Sequence, residues 1–426
     1  MMSKISAIQE PIWLTQQLYP KSSLYNVGGY ACIEGPLKET ILIKSIKQIL
    51  DNTDAITIGC YAFNETPLEK NKEFILYDIT TLDFSADSNP IQSCLTWMQK
   101  DIQETFNVNK NLLKVRILKA SKDKCYWYVK VHHLVFDGYA MSLFFNTVST
   151  LYSSITNNKK QIDLALCDYA DFIEDEENYK HSNTYKLDKA FWIDKLKNIP
   201  EEKAFQSCLQ STNTKTLSSK RKEIKISRGL HKQIESFCKQ HNCTVFHYFI
   251  TILFILNKLY NNEDVAIGIP VFNRSNSRHK NTLGTFVNVL PFGISCIEDI
   301  SFIQLLQNAK DELKQCYRHQ HFPLYDALKK LDKKGNIYNI SFSYQKNAYQ
   351  PTLGNSTTSI RYIHGGEQQD EIAFSLLEYS NTEDLILVVV YKENVFAEHV
   401  IDGVINHYHT LLNTLYTCLL YTSRCV

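Results

Sequence analysis

Apolar positions three and four apart predict a helix over residues 11–18, and the aromatic and β-branched run at 25–33 predicts a strand after it. A second amphipathic stretch, 37–50, reads as a helix, followed by strands near 56–63 and 112–118. Residues Cys125-Tyr126-Trp127-Tyr128-Val129-Lys130-Val131 predict a strand that is at least half buried. Beyond it Met141, Leu143, Phe144, Val148 and Leu151 recur at helical spacing, so 139–155 is expected to be a helix packed through one face. The interval 164–181 is acidic and loosely patterned and reads as the end of a first lobe with a crossing connection.

A second lobe is predicted from a helix at 185–196, an exposed Ser/Thr-rich loop at 210–220, a strand at 223–226 and paired helices at 230–240 and 244–259. The very apolar strand 265–269 follows, then a strand around 286–294, a helix at 302–317, strands at 337–344, 372–378 and 385–390, and a last helix at 398–416. No repeat of fixed short period is present. The mixture predicts an α/β class and is compatible with two similar lobes.

At 426 residues the chain is long for one core, which favours two domains or one two-lobed unit. Hydrophobic residues at 44% and charged residues at 21% describe an ordinary globular protein. A formal net charge of +1 gives no reason to invoke nucleic acid or anionic lipid. The twelve cysteines are scattered without a C-x-x-C pair, which predicts a reduced, cytoplasmic setting. Cys238-Lys239-Gln240-His241-Asn242-Cys243 brings thiols and an imidazole together but lacks a second pair of zinc ligands, so no metal site is expected. The amino-terminal residues show no secretory signal, and the longest oily run, 249–256, is far shorter than the roughly 20 residues of a membrane span. No membrane partner is predicted. G-x-S-x-G elbows, Walker loops and dinucleotide fingerprints are absent, which removes support for hydrolase, ATPase and Rossmann chemistry.

Candidate chemistry concentrates in His132-His133-Leu134-Val135-Phe136-Asp137-Gly138, between the half-buried strand and the helix after it. Adjacent strand residues point to opposite faces, so His132 and His133 cannot share one small ligand unless the strand ends between them. One histidine is therefore free to act as a base near neutral pH while the other is held inside by a hydrogen bond. Asp137 stands where it can anchor the loop. The competing reading is a pair of satisfied histidines on a buried strand. Gly138 either admits a substrate close to the backbone or is a plain turn glycine.

With these residues in view, the chain resembles the condensation domains of nonribosomal peptide synthetases, in the chloramphenicol acetyltransferase-like superfamily. Ser6-Ala7-Ile8-Gln9-Glu10-Pro11-Ile12-Trp13-Leu14 is similar to the family's opening motif, and residues His132 to Gly138 match its HHxxxDG motif at every defining position. Asp168-Tyr169-Ala170-Asp171-Phe172 resembles the motif that closes the first lobe. Gly268-Ile269-Pro270-Val271-Phe272-Asn273-Arg274 and Leu283-Gly284-Thr285-Phe286-Val287-Asn288-Val289-Leu290-Pro291 resemble the second lobe's signature. His319-Gln320-His321-Phe322-Pro323-Leu324 and Ser341-Phe342-Ser343-Tyr344-Gln345 are looser matches.

The resemblance implies two chloramphenicol acetyltransferase-like lobes in a V-shaped pseudo-dimer, mixed sheets flanked by helices, with a tunnel between them; they are expected at 1–176 and 177–426. It implies an acyltransferase that forms an amide between a donor acyl or aminoacyl thioester and an acceptor aminoacyl thioester, both on carrier proteins. No bound cofactor is expected, since phosphopantetheine arrives on the carriers. His133 matches the catalytic histidine, as base or as positioner of the amine. His132, Asp137 and Gly138 complete the motif, with Asp137 structural and paired to an arginine in relatives. In the stretch Asn52-Thr53-Asp54-Ala55-Ile56-Thr57, however, Thr57 stands where that arginine is expected. Arg116 is the substitute considered, and Asp137 is expected to be partnered or solvated, because an unpaired buried carboxylate is costly. Ala140 replaces the family's usual serine.

Asn288 and Tyr344 are expected to face the pantetheine, although an asparagine in a strand-end turn fits Asn288 as well. Arg274 is expected either to meet a phosphate or to cap the lobe surface. Alternatives are an acyltransferase of the same superfamily with a free alcohol or amine acceptor, and an inactive module that only docks carriers. An epimerisation domain is disfavoured, because only five residues precede Ser6. The opening motif lies at the start, so the donor is expected from a separate protein or as a diffusible acyl thioester. The ending, residues 419–426, suggests a truncated reading frame, in which case adenylation and carrier domains lie downstream.

Overall fold

In the computed structural model, residues 5–63, 77–108, 111–158, 165–201, 203–208, 216–296, 299–331, 337–346 and 352–421 are described. The first stretch of chain forms α1 (Gln9–Leu18), β1 (Asn26–Glu34), α2 (Glu39–Asp51), α3 (Asp54–Phe63), β2 (Asp78–Asp83), α4 (Pro90–Gln103), β3 (Leu113–Ser121), β4 (Lys124–His132), α5 (Gly138–Thr156) and α6 (Tyr169–Lys180). The remainder forms α7 (Asn183–Lys197), β5 (Ser219–Ile226), α8 (Arg228–Gln240), α9 (Val245–Asn261), β6 (Ile267–Val271), α10 (Ser277–Lys280), β7 (Asn288–Phe292), α11 (Phe302–Arg318), α12 (Leu324–Lys330), β8 (Ile340–Lys346), β9 (Thr357–Ile363), β10 (Ile372–Glu378), β11 (Leu385–Lys392) and α13 (Glu398–Tyr421). The expected α/β class is observed, with two mixed sheets flanked by helices.

Two compact units result, and chain order does not divide them. The first comprises Met1–Ser182, Phe272–Val287 and Asn347–Glu367; the second comprises Asn183–Val271, Asn288–Lys346 and Gln368–Val426. A single boundary at 176/177 therefore gives way to one in which two later segments return to the first unit. The cause is pairing: β9 adds to β1 antiparallel over Gly28↔Ile363 to Glu34↔Thr357, and Phe286 of the 272–287 segment packs its ring against Tyr169 and Phe172. Local periodicity marks a strand without naming the sheet it joins.

The first unit's sheet has the order β2-β3-β4-β1-β9, with β2 and β3 parallel and the other pairs antiparallel. Parallel neighbours need a crossover, and α4 supplies it. Strand β4 lies in the middle and is buried on both faces. Trp127, Val129 and Val131 join the core formed with α2 and α5, whereas Tyr126 and Tyr128 face Cys94 and Met98 of α4. This alternation sets the site, because His132 follows Tyr126 and Tyr128 in the pleat.

The strand expected near 56–63 is instead helix α3. Its β-branched and aromatic content suits a strand, but Ala55, Ile56, Ile58 and Cys60 are all buried, so tertiary packing overrides the propensity. A Cβ on Gly59 would lie 2.9 Å from a methyl of Val135, so glycine lets α3 approach the histidine loop closely. The indole of Trp13 donates to the Ala62 carbonyl at 2.6 Å. The interval 164–181 contains helix α6, whose first N–H groups, Tyr169 and Ala170, donate to the Asp54 carboxylate at 2.8 Å. Strands β2 and β9 and helix α4 were not anticipated; β2 reads Asp-Ile-Thr-Thr-Leu-Asp, too polar to signal a strand.

The second unit's sheet has the order β5-β11-β10-β8-β6-β7, with β8 parallel to β10 and to β6. Its core gathers α9, α11 and α13 against β6, β8, β10 and β11. Residues 210–215 of the predicted exposed loop, and 422–426 of the ending, lie outside the described residues. No single helix among the described residues is long and apolar enough to cross a membrane.

Gly284 packs where a side chain has no room. A Cβ there would lie 2.1 Å from the ring of Tyr169, which is fully buried and hydrogen-bonded. Gly284→Ala is expected to cost about 1–3 kcal/mol by overpacking. Urea unfolding checks this, and an unshifted midpoint would show that the ring yields freely.

Candidate active site

Strand β4 ends at His132, opposite Asn26 of β1, so the two histidines fall on either side of a strand end. His132 turns into the α4 face and is 1% exposed. Its Nδ1 accepts from the Leu134 N–H at 3.1 Å, leaving Nε2 to donate to Gln16 Oε1 at 3.0 Å. The amide of Gln16 is oriented in turn, because its nitrogen donates to the Tyr19 carbonyl at 3.0 Å. Both ring nitrogens are thus committed, and burial followed by the neighbouring His133 pulls His132 down to about 3. It is a neutral structural imidazole. Phe106 packs edge-on against it, with the buried ammonium of Lys130 over the same ring at 4.8 Å. That ammonium donates to the Asp101 and Glu104 carbonyls at the end of α4, at 2.6 and 2.5 Å.

His133 is held differently. Its backbone is clamped on both sides: the N–H donates to the Tyr25 carbonyl at 2.7 Å, and the carbonyl accepts from the Thr285 hydroxyl. The side chain is half-buried, and no other residue hydrogen-bonds its Nδ1. Burial lowers its pKa, opposed by a hydrogen bond to its own backbone and by the charge of Asp137, so the ring is neutral near pH 7. A held backbone and a neutral imidazole that no other residue hydrogen-bonds at Nδ1 are what a proton acceptor needs.

Asp137 is the N-cap of α5. Its Oδ1 accepts from the Ala140 N–H at 2.8 Å, and its Oδ2 accepts from the Phe286 N–H at 3.0 Å. The expected partner is present, and it is Arg274. One terminal nitrogen donates to Oδ2 at 2.6 Å and the other to Oδ1 at 3.2 Å, a bidentate pair whose side chains are 0% and 3% exposed. Burial alone would raise the carboxyl's pKa, but the guanidinium and the two backbone N–H groups outweigh it and hold it below the usual range.

Arg274 also donates to the His279 and Gly284 carbonyls and lies over the rings of Phe286, Tyr139 and Phe272 at 4.1, 4.6 and 5.4 Å. The expectation that Arg274 meets a phosphate or caps the surface is therefore corrected, because the side chain is fully buried and bound to Asp137, His279 and Gly284 inside the first unit. Arg116, the substitute considered, pairs with Asp78 on the adjoining strand. The arginine missing at Thr57 is supplied from a segment far along the chain.

Gly138 opens α5 and is exposed, with nothing within 4 Å of where a Cβ would be. Asn288 and Tyr344 belong to the second unit. The Asn288 amide donates to the Gln320 and Phe322 carbonyls at 2.9 and 3.1 Å, which matches the strand-end role, and the Tyr344 hydroxyl donates to buried Glu378. Sequence reasoning left several supports unnamed. Gln9 of the opening motif donates to the Leu134 carbonyl at 2.7 Å, inside the histidine loop. The Tyr169 hydroxyl donates to the Thr285 carbonyl and accepts from Ser6, so the opening and lobe-closing motifs meet behind His133.

The condensation-domain profile matches residues 2–421. The chain belongs to the condensation-domain family. It is 22% identical over 418 residues to surfactin synthase subunit 1 of Bacillus subtilis, covering 96% of this chain and 12% of that protein. To bacitracin synthase 1 of Bacillus licheniformis it is 19% identical over 419 residues, 96% of this chain and 8% of the other. The condensation domain thus spans a small part of the length of these curated relatives. Among solved structures it resembles the starter condensation domain of rhizomide synthetase, solved with C8-CoA, at a TM-score of 0.83, 18% identity and coverage of 97% and 94%. The first condensation domain of the calcium-dependent antibiotic synthetase gives 0.83 at 17% identity, covering 98% and 96%.

Two outcomes follow for the condensation domain. Arg274→Met strands a buried carboxylate and is expected to cost about 3–5 kcal/mol, whereas pairing it with Asp137→Asn should cost clearly less than the sum of the single changes. A double-mutant cycle by urea unfolding decides, and additive losses would dissolve the pair. His132 binds a proton below about 6.5 when unfolded but only near 3 when folded, so its stabilisation is complete above 6.5 and is lost as pH falls toward 3. His132→Gln should flatten the decline of stability over that window by roughly 1.4 kcal/mol per pH unit. Parallel slopes for parent and variant would contradict the assignment.

Proposed function

We propose that this condensation domain forms an amide between an acyl or aminoacyl thioester and the amine of an aminoacyl thioester, each carried on the phosphopantetheine arm of a carrier protein. The observation that carries the reading is the pinned backbone of His133 and its neutral imidazole, whose Nδ1 no other residue hydrogen-bonds, beside a histidine and an aspartate that are fully committed to structure. The amine nitrogen attacks the thioester carbonyl, His133 takes the proton as the C–N bond forms, and the pantetheine thiolate leaves and is reprotonated. Such a proton transfer contributes on the order of 10²- to 10⁴-fold. His132, Asp137 and Arg274 act at one remove, as positioning residues. No bound cofactor is needed, because the thioester supplies the activation. The family membership supports carrier proteins as donor and acceptor partners, with the donor carrier proposed to come from a separate protein.

The test mixes the purified chain with an acyl-loaded and an aminoacyl-loaded carrier supplied as separate proteins, and follows amide product by mass spectrometry. His133→Ala should lower the rate by on the order of 10²-fold or more with the urea midpoint retained. Condensation by the variant at the parental rate would remove His133 from the chemistry. A parent that binds both carriers yet condenses no pair would favour a docking module.

A further inference from the structure

The second unit holds a feature that amide formation does not use. Helix α8 ends in a Schellman motif: His241 is the C-cap, Asn242 adopts a left-handed φ of 50°, the Asn242 N–H points to the Lys239 carbonyl at 3.4 Å and the Cys243 N–H donates to the Cys238 carbonyl at 2.9 Å. This turn brings the side chains at its two ends together, ordinarily as an apolar contact. Here both ends are cysteines, so the turn sets one thiol against the other. Cys238 is buried in the core of the second unit, whereas Cys243 is partly exposed. Immediately beyond, Thr244 and His247 form a capping box that starts α9, and the two helices meet at 99°.

We propose that Cys238 and Cys243 are a reversible thiol–disulfide site, with Cys243 the attacking sulfur and Cys238 the resolving one. The hydrogen bond from Cys238 lowers the Cys243 thiol, burial opposes this and the charge of Lys310 adds to the lowering, while the same hydrogen bond and burial raise Cys238. Elsewhere burial pushes Cys60 and Cys125 up to about 12 and Cys94 and Cys296 up to about 11. Reactivity follows thiolate character and access; Cys243 is the partly exposed member of the pair and the one whose thiol is lowered. With a peroxide as oxidant, the Cys243 thiolate attacks one oxygen to give a sulfenic acid and hydroxide. The Cys238 sulfur then attacks the Cys243 sulfur, forming the S–S bond and expelling the second oxygen as water. Two thiols lose two electrons and two protons, and the peroxide becomes two waters. A small dithiol reverses the step. Among the described residues no group of three His, Cys, Asp or Glu is placed to hold a metal ion, so the pair stands as thiols.

The experiment treats the reduced full chain with one equivalent of hydrogen peroxide, alkylates the remaining thiols and digests with trypsin, which cuts at Lys239 between the two cysteines. The expected product is a pair of peptides joined through Cys238 and Cys243, formed ahead of oxidation at any other cysteine and released by dithiothreitol. In Cys238→Ala, Cys243 should instead be trapped as a sulfenic acid by dimedone, and in Cys243→Ser the joined pair should vanish. Oxidation that begins at other cysteines, or a parental Cys243 that passes to sulfinic acid without joining Cys238, overturns the proposal. The linked peptide is read in the parent protein, so the outcome does not depend on how well the variants fold, and it stands or falls apart from the condensation assay.

Discussion

The bidentate pair of Asp137 and Arg274 is the contact on which the candidate site depends. One carboxylate caps α5, receives the Phe286 N–H and meets the guanidinium, while that guanidinium also holds the Gly284 and His279 carbonyls. A loop that closes one strand and opens one helix is thereby tied to a segment more than a hundred residues later in the chain. Buried ion pairs seldom add net stability over an apolar pair of similar volume, since desolvation offsets most of the attraction. What the pair supplies is position. Thr285 lies between two backbone groups fixed by this pair, and its hydroxyl reaches the His133 carbonyl.

Two identical side chains in succession receive opposite duties from the pleat of one strand. His132 inherits the face of Tyr126 and Tyr128, finds Gln16 and the Leu134 N–H, and is spent on structure. His133 comes after the last ladder position, where the chain leaves the sheet, and no other residue hydrogen-bonds its Nδ1. His132 is thereby spent on the loop that carries His133.

Much of this was legible in the sequence because it is local. Periodicity found β4, α5 and most helices of the second unit, and the pleat rule alone separated His132 from His133. The partner of Asp137 was not legible from local pattern, since Thr57 broke the expected pairing and the replacement lies in a segment that periodicity assigned to the other lobe. Arg274 had been read for its exposed chemistry, whereas it is buried by the rings of Phe286, Tyr139 and Phe272. Strand β9 escaped notice because its pattern makes sense only beside β1, and α3 was misread because a helix buried on several faces looks like a strand. The failures share a cause: each depends on a contact distant in sequence.

The return of two late segments to the first unit has a consequence for how the protein comes into being. A ribosome delivers the chain from its amino end, at about 5–20 residues per second. When Ser182 has emerged, β1 still lacks its β9 neighbour and Asp137 still lacks its guanidinium. The nascent first unit carries an uncompensated carboxylate for the time needed to make some 90 further residues, and an open sheet edge for some 180. Completion of the histidine loop thus waits until Asn183–Val271 of the second unit has been made, and completion of the first unit's sheet comes later still.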